Sequence, residues 1–170
     1  VFGNIDFKGD IIIYGNVKPG IKIIATKSIT VNGIVEGSDL SAGTDIIVKG
    51  GILGAERSRI EAEGDLLADF VEYATVFVKG NVRANSILNS NVTAGDQILA
   101  TGKTGTILGG NIYAMSAVSC IIAGNDAFLR TVIAAGIKNQ VQQDQYALSH
   151  KVENLTKENK KIEKEVDDIE

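Results

Sequence analysis

Several groups of residues in this chain carry the raw material of chemistry. Gly102-Lys103-Thr104 matches the end of a phosphate-binding loop, in which backbone N–H groups and a lysine cradle phosphate oxygens. That motif needs a glycine five residues before Gly102, where this chain has Gln97; Gly95 is two positions too early, and no long helix follows. The tripeptide is therefore read as a turn. The recurrent acids Asp10, Asp45, Asp65, Asp96 and Asp126 have the look of a calcium ladder. A calcium ion needs about six or more oxygens converging on one point, whereas these acids come once per repeat and alternate with Ser28, Asn81 and Asn111. Hydrogen bonding at chain corners is the expected role. Cys120 lies in the apolar run Ala117–Ile122 and reads as a small buried hydrophobe. His150 is the one histidine and falls at an outer position of a helical heptad pattern, so no Cys–His dyad can be assembled. No catalytic residue, cofactor or metal ligand is assigned.

The elements that hold these residues follow from a repeat. Gly9-Asp10, Gly64-Asp65, Gly80-Asn81, Gly95-Asp96 and Gly110-Asn111, with looser copies at Lys27-Ser28, Thr44-Asp45 and Asn125-Asp126, recur every fifteen to twenty residues. Fixed-period self-similarity signals a repeat architecture, and this period suits one coil of a parallel β-solenoid. Short β-rich runs follow the anchors, such as Ile11-Ile12-Ile13, Ile29-Thr30-Val31 and Ile46-Ile47-Val48. Side chains alternate along a strand, so Ile11, Ile13, Ile29, Val31, Ile46 and Val48 are expected to stack inside. Gln97 breaks the pattern in its coil, which predicts a shift or bulge there. Glycine is expected to supply positive φ at each corner, with the neighbouring Asp, Asn or Ser bonding its own nearby backbone. About seven to eight coils are predicted. The hexad spacing of Ile11, Val17, Ile23, Ile29 and Val35 fits a left-handed helix, but it then drifts.

Composition divides the chain in two. All 19 glycines precede the last 34 residues, and 44% apolar content with 5% aromatic suits a narrow aliphatic core. Residues 1–137 are predicted to form the solenoid and residues 138–170 a coiled-coil α-helix. In that tail Val141, Leu148, Leu155, Ile162 and Ile169 stand seven apart, and Val152, Asn159 and Val166 form the interleaved a row. Valine at a, Leu or Ile at d and one Asn at a make a coiled-coil seam. About thirty helical residues would reach roughly 45 Å and need a partner to be stable. A parallel homodimer would set Glu158 against Glu163 and Glu165 against Glu170, like charges that argue for a different partner. The net charge of −4 gives no basic footprint for nucleic acid. The uncharged run between Lys103 and Asp126 is too rich in glycine, serine and asparagine for a membrane span.

The chain resembles the flagellar assembly protein A family in its β-solenoid region. The match rests on Gly3–Asp10, Gly33–Gly37, Val48–Gly54, Arg59–Asp65 and Thr101–Gly110, in order and spacing, over roughly residues 3 to 137. The resemblance implies a right-handed solenoid, followed by a coiled coil that returns to a closing β-segment. It also implies a non-enzymatic scaffold in the bacterial cytoplasm that positions partners for flagellar assembly or polar localisation. A self-polymerising, bactofilin-like cytoskeletal solenoid is the alternative; an enzyme or sugar-binding solenoid ranks below both, because convergent catalytic side chains cannot be assembled. Two interaction surfaces are expected. One is the seam Val141, Leu148, Val152, Leu155, Asn159, Ile162, Val166 and Ile169, through which the chain could homodimerise where its returning helix is lacking. The other is a covered face two residues after each anchor, carrying Ile12, Ile47, Leu67, Ile98, Tyr113 and Phe128 among eight positions. The Glu56–Arg59 stretch in the longest coil is expected to bulge outward.

Overall fold

In a computed structural model the described residues are 3–136, together with Val152, Leu155 and Asn159. Contacts divide the chain into two units, Val1–Ile137 and Lys138–Glu170. The first is a parallel β-solenoid of about seven turns. The chain alternates between two sheets, and each strand pairs in parallel with its counterpart one coil earlier. The narrow sheet holds seven strands, β2 (Ile11–Ile13), β4 (Ile29–Val31), β7 (Ile46–Val48), β9 (Leu66–Ala68), β11 (Val82–Ala84), β13 (Gln97–Ala100) and β15 (Ala117–Cys120). The wide sheet contains β1 (Asn4–Phe7), β3 (Lys22–Ala25), β5 (Val35–Glu36), β6 (Asp39–Ala42), β8 (Ile52–Ala62), β10 (Phe70–Val78), β12 (Ser86–Ala94), β14 (Thr106–Ala114), β16 (Ile122–Ala123) and β17 (Thr131–Ala135). At the usual spacing between strands the seven rungs rise about 30 Å.

The expected core residues Ile29, Val31, Ile46 and Val48 are buried, and Ile11 and Ile13 pack against the core from the first rung. One inward column runs Ile11, Ile29, Ile46, Leu66, Val82, Ile98, Val118, so successive coils contain 18, 17, 20, 16, 16 and 20 residues. This corrects the later anchors. Gly95 stacks on Lys79, Asp96 on Gly80 and Gln97 on Asn81, and the rung has no bulge. Gly110-Asn111 lies inside β14 of the wide sheet, and Asn125-Asp126 precedes no strand of the narrow sheet. In the Gly95 coil Gln97 takes the place of the usual Asx, and the inward register starts at Ile98, one residue later than the Gly-Asp step suggests.

The Gly-Asx step has a different physical basis from the one expected. Asp10 Oδ1 accepts from Ser28 N at 3.1 Å and Ser28 Oγ at 2.6 Å, Asp45 Oδ1 from Asp65 N at 2.8 Å, and Asp65 Oδ1 from Asn81 N at 2.7 Å. Asn81 Oδ1 continues to Gln97 N at 3.2 Å. Each side chain therefore satisfies the backbone of the next coil, not its own. The glycines make room for these bonds: a Cβ on Gly64 would sit 2.2 Å from Asp45 Oδ1, and one on Gly80 would sit 2.1 Å from Asp65 Oδ1. Neither glycine has positive φ. At each such corner, glycine receives the carboxylate from below while its Asx neighbour reaches upward. At other corners glycine allows backbone to approach backbone; a Cβ on Gly95 would meet Lys79 O at 2.1 Å.

The wide sheet bends within every coil at a left-handed residue. Gly37 (φ 48°), Tyr73 (φ 49°), Asn89 (φ 46°) and Gly109 (φ 69°) mark this bend, and Tyr73, Asn89 and Gly109 are stacked by the pairing of their neighbours. The next position is often a hydroxyl residue. Ser38 Oγ donates to Lys18 O at 2.7 Å or Glu36 O at 3.0 Å, and accepts from Ile21 N at 3.3 Å. Ser90 Oγ donates to Leu88 O at 2.8 Å and accepts from Ala74 N at 3.2 Å. Thr131 closes the series, donating to Leu129 O at 3.2 Å and accepting from Gly109 N at 2.8 Å. These bonds satisfy backbone groups exposed by the bend, which would otherwise be costly to bury.

Candidate interaction surfaces

The register rebuilds the predicted covered face. Ile12, Thr30, Ile47, Leu67, Arg83, Leu99 and Ser119 form one outward column on the narrow sheet. Ile12 is 57% and Leu67 48% exposed, and Ile47 is half-buried. Ile98 does not belong here: it is wholly buried, and Leu99 takes the outward place because the register is shifted by one residue. Tyr113 lies on the wide sheet, beside Thr93 of the preceding coil. Phe128 is 93% exposed, lies outside any strand and has φ 55°. The expected column thus merged residues from different faces once the later anchors had slipped.

Of the seam residues, Val152, Leu155 and Asn159 are helical and exposed. Val141, Leu148, Ile162, Val166 and Ile169 lie outside the described residues, as does His150. Gly102-Lys103-Thr104 forms a turn against the preceding coil. Thr104 Oγ1 donates to Asn85 O at 3.3 Å, and Asn85 Oδ1 stands where a Cβ on Gly102 would be. Cys120 is partly buried and packs against the core. Among the described residues, no group of three or more His, Cys, Asp or Glu is placed to hold a metal. No described helix is long and apolar enough to cross a membrane.

The electrostatics follow the same stacking. The Ser28 hydroxyl and then its backbone N–H hold the Asp10 carboxyl below the ordinary aspartate range, aided by Lys27. Lys18–Glu36 at 3.0 Å and Lys79–Glu63 join neighbouring coils. Arg59 bonds Glu61 and lies 5.4 Å from the centre of the Phe77 ring in the next coil.

A concave feature escaped the sequence reading. A cleft of about 510 Å3 is lined by Glu56, Tyr73, Ala74, Thr75, Asn89, Asn91 and Leu129. Gly54 to Arg57 are all opposed by Tyr73 alone, so the third full coil bulges as expected from its length. Ala55, Glu56 and Arg57 are exposed on that bulge. Tyr73 and Asn89 occupy the left-handed column, where other rungs use Gly37 and Gly109. Such a conformation costs a bulky residue about 1–3 kcal/mol. The clue in sequence was the Gly37-Ser38 and Asn89-Ser90 pairing, but the lining residues come from separate coils and converge only after stacking.

These features define a parallel β-solenoid whose polar corner residues mainly join coil to coil. The chain belongs to the Flagellar Assembly Protein A beta solenoid domain family, whose model matches residues 1–170. That match includes the tail as well as the solenoid residues that carried the resemblance. No curated protein and no solved structure matches the chain.

Proposed function

We propose that this chain is a non-enzymatic scaffold of the bacterial cytoplasm, positioning protein partners for flagellar assembly or their localisation at the pole. The observation that carries this reading is family membership across residues 1–170. The physical support is that Asp10, Asp45, Asp65 and Asn81 direct an oxygen to the next coil's backbone. These groups serve rigidity, and a stiff ladder suits holding partners at fixed spacing. The outward column of Ile12, Ile47, Leu67 and Leu99 is the surface assigned to a partner, and the heptad seam of the tail provides a second. The tail pairs with an antiparallel returning helix, or with a second copy where that helix is lacking. Right-handed winding accords with the resemblance, the general preference of parallel crossovers and the unequal coil lengths.

The test is deletion of the gene in its motile host, with flagella counted and their positions recorded. Loss or mislocalisation of flagella, restored by the wild-type gene, is the expected result. Unchanged flagella after deletion would overturn the flagellar reading.

A further inference from the structure

We propose that the cleft at the bend of the wide sheet binds a neutral, extended saccharide without cleaving it. Its lining combines the side-chain amides of Asn89 and Asn91, the hydroxyl of Thr75 and the aromatic ring of Tyr73. Amides and hydroxyls both donate and accept, as sugar hydroxyls do, and a ring supplies an apolar face for a pyranose. Glu56 adds an acceptor, and Leu129 a small apolar contact. No lysine or arginine is among the lining residues, which disfavours a phosphorylated ligand.

The volume lies within the range of small-molecule sites, about 300–1,000 Å3. Successive rungs repeat at roughly 4.8 Å, close to the advance of one sugar unit in an extended chain. The side-chain amide of Asn111 also bonds Asn91 Oδ1 at 2.7 Å, extending the polar track by another rung. An extended peptide fits less well. Strands β10 and β12 are paired on both sides, and the unpaired backbone beside them is confined to the short Gly54–Arg57 bulge, too short an edge for strand addition.

Tyr73 provides an independent argument. Glycine would occupy its left-handed position without strain, yet this rung places a large, 44% exposed ring there. The ring therefore stands at a position where backbone stability favours its absence. A single lining carboxylate, Glu56, also falls short of the acid pair used in most glycoside cleavage.

The experiment titrates the full chain with maltohexaose, cellohexaose and chitohexaose at millimolar concentration, followed by amide NMR and calorimetry. At least one should perturb Thr75, Asn89 and Asn91 selectively. Tyr73→Gly should weaken that binding about tenfold or more while retaining or raising thermal stability, because it removes the ring and relieves the backbone. Asn91→Ala should weaken it too. No perturbation by any of the three sugars, or equal binding by Tyr73→Gly, would overturn the proposal. Binding of an extended Asn-rich peptide in place of the sugars would do the same.

Discussion

Single residues hold one coil to the next, and the glycines decide whether they can. Gly80→Ala puts a methyl group hard against the Asp65 side-chain oxygen, which can swing away at the loss of its bond to Asn81 N, and more lightly against the Gly64 carbonyl oxygen at 2.8 Å. Gly95→Ala puts one against the backbone carbonyl of Lys79, which cannot swing. We expect Gly80→Ala to cost about 1–3 kcal/mol and Gly95→Ala to cost more, measured by denaturant unfolding. Equal or reversed costs would count against the space-making role of these glycines. Asp10 offers a pH readout. Its folded pKa is lowered, so its stabilising bond to Ser28 is present at neutral pH and is lost as pH falls through that folded value. By NMR titration, Ser28→Ala should move the Asp10 midpoint upward; an unchanged midpoint would contradict the hydroxyl's leading part.

At the scale of elements, the bend of the wide sheet separates useful hydroxyls from idle ones. Ser90 is buried and bonded to Leu88 O and Ala74 N, whereas Ser58 Oγ is buried with no hydrogen-bond partner among the described residues. Ser90→Ala should destabilise the solenoid by about 1–2 kcal/mol, and Ser58→Ala should be neutral or stabilising. Thermal melts of the two variants provide the comparison. The strands themselves were legible because Thr30 between Ile29 and Val31 marks the outward face, and the repeat carries that register to Ile46 and Val48. Ile98 was misplaced because Gly95-Asp96 imitates the usual corner one residue early, and only pairing with Val82 reveals the shift. The bend remained hidden because Tyr73 and Asn89 do not advertise a left-handed backbone as glycine does.

For the whole molecule, the stacked core predicts cooperative failure. Val31 is wholly buried between Val48 and Ile13 in the sheet register. Val31→Asp should therefore cost more than about 4 kcal/mol and unfold the solenoid. A soluble variant with an unchanged melting temperature would contradict that core. The cleft could not be assembled from local sequence, since Glu56, Asn91 and Leu129 meet only through successive coils. The most direct test of the scaffold account is complementation of the deletion strain by an Ile12→Glu, Leu67→Glu double variant. Both side chains are exposed, so the variant should melt like wild type but fail to restore correctly placed flagella. Full restoration by the stable, normally expressed variant would contradict a partner surface on the narrow sheet.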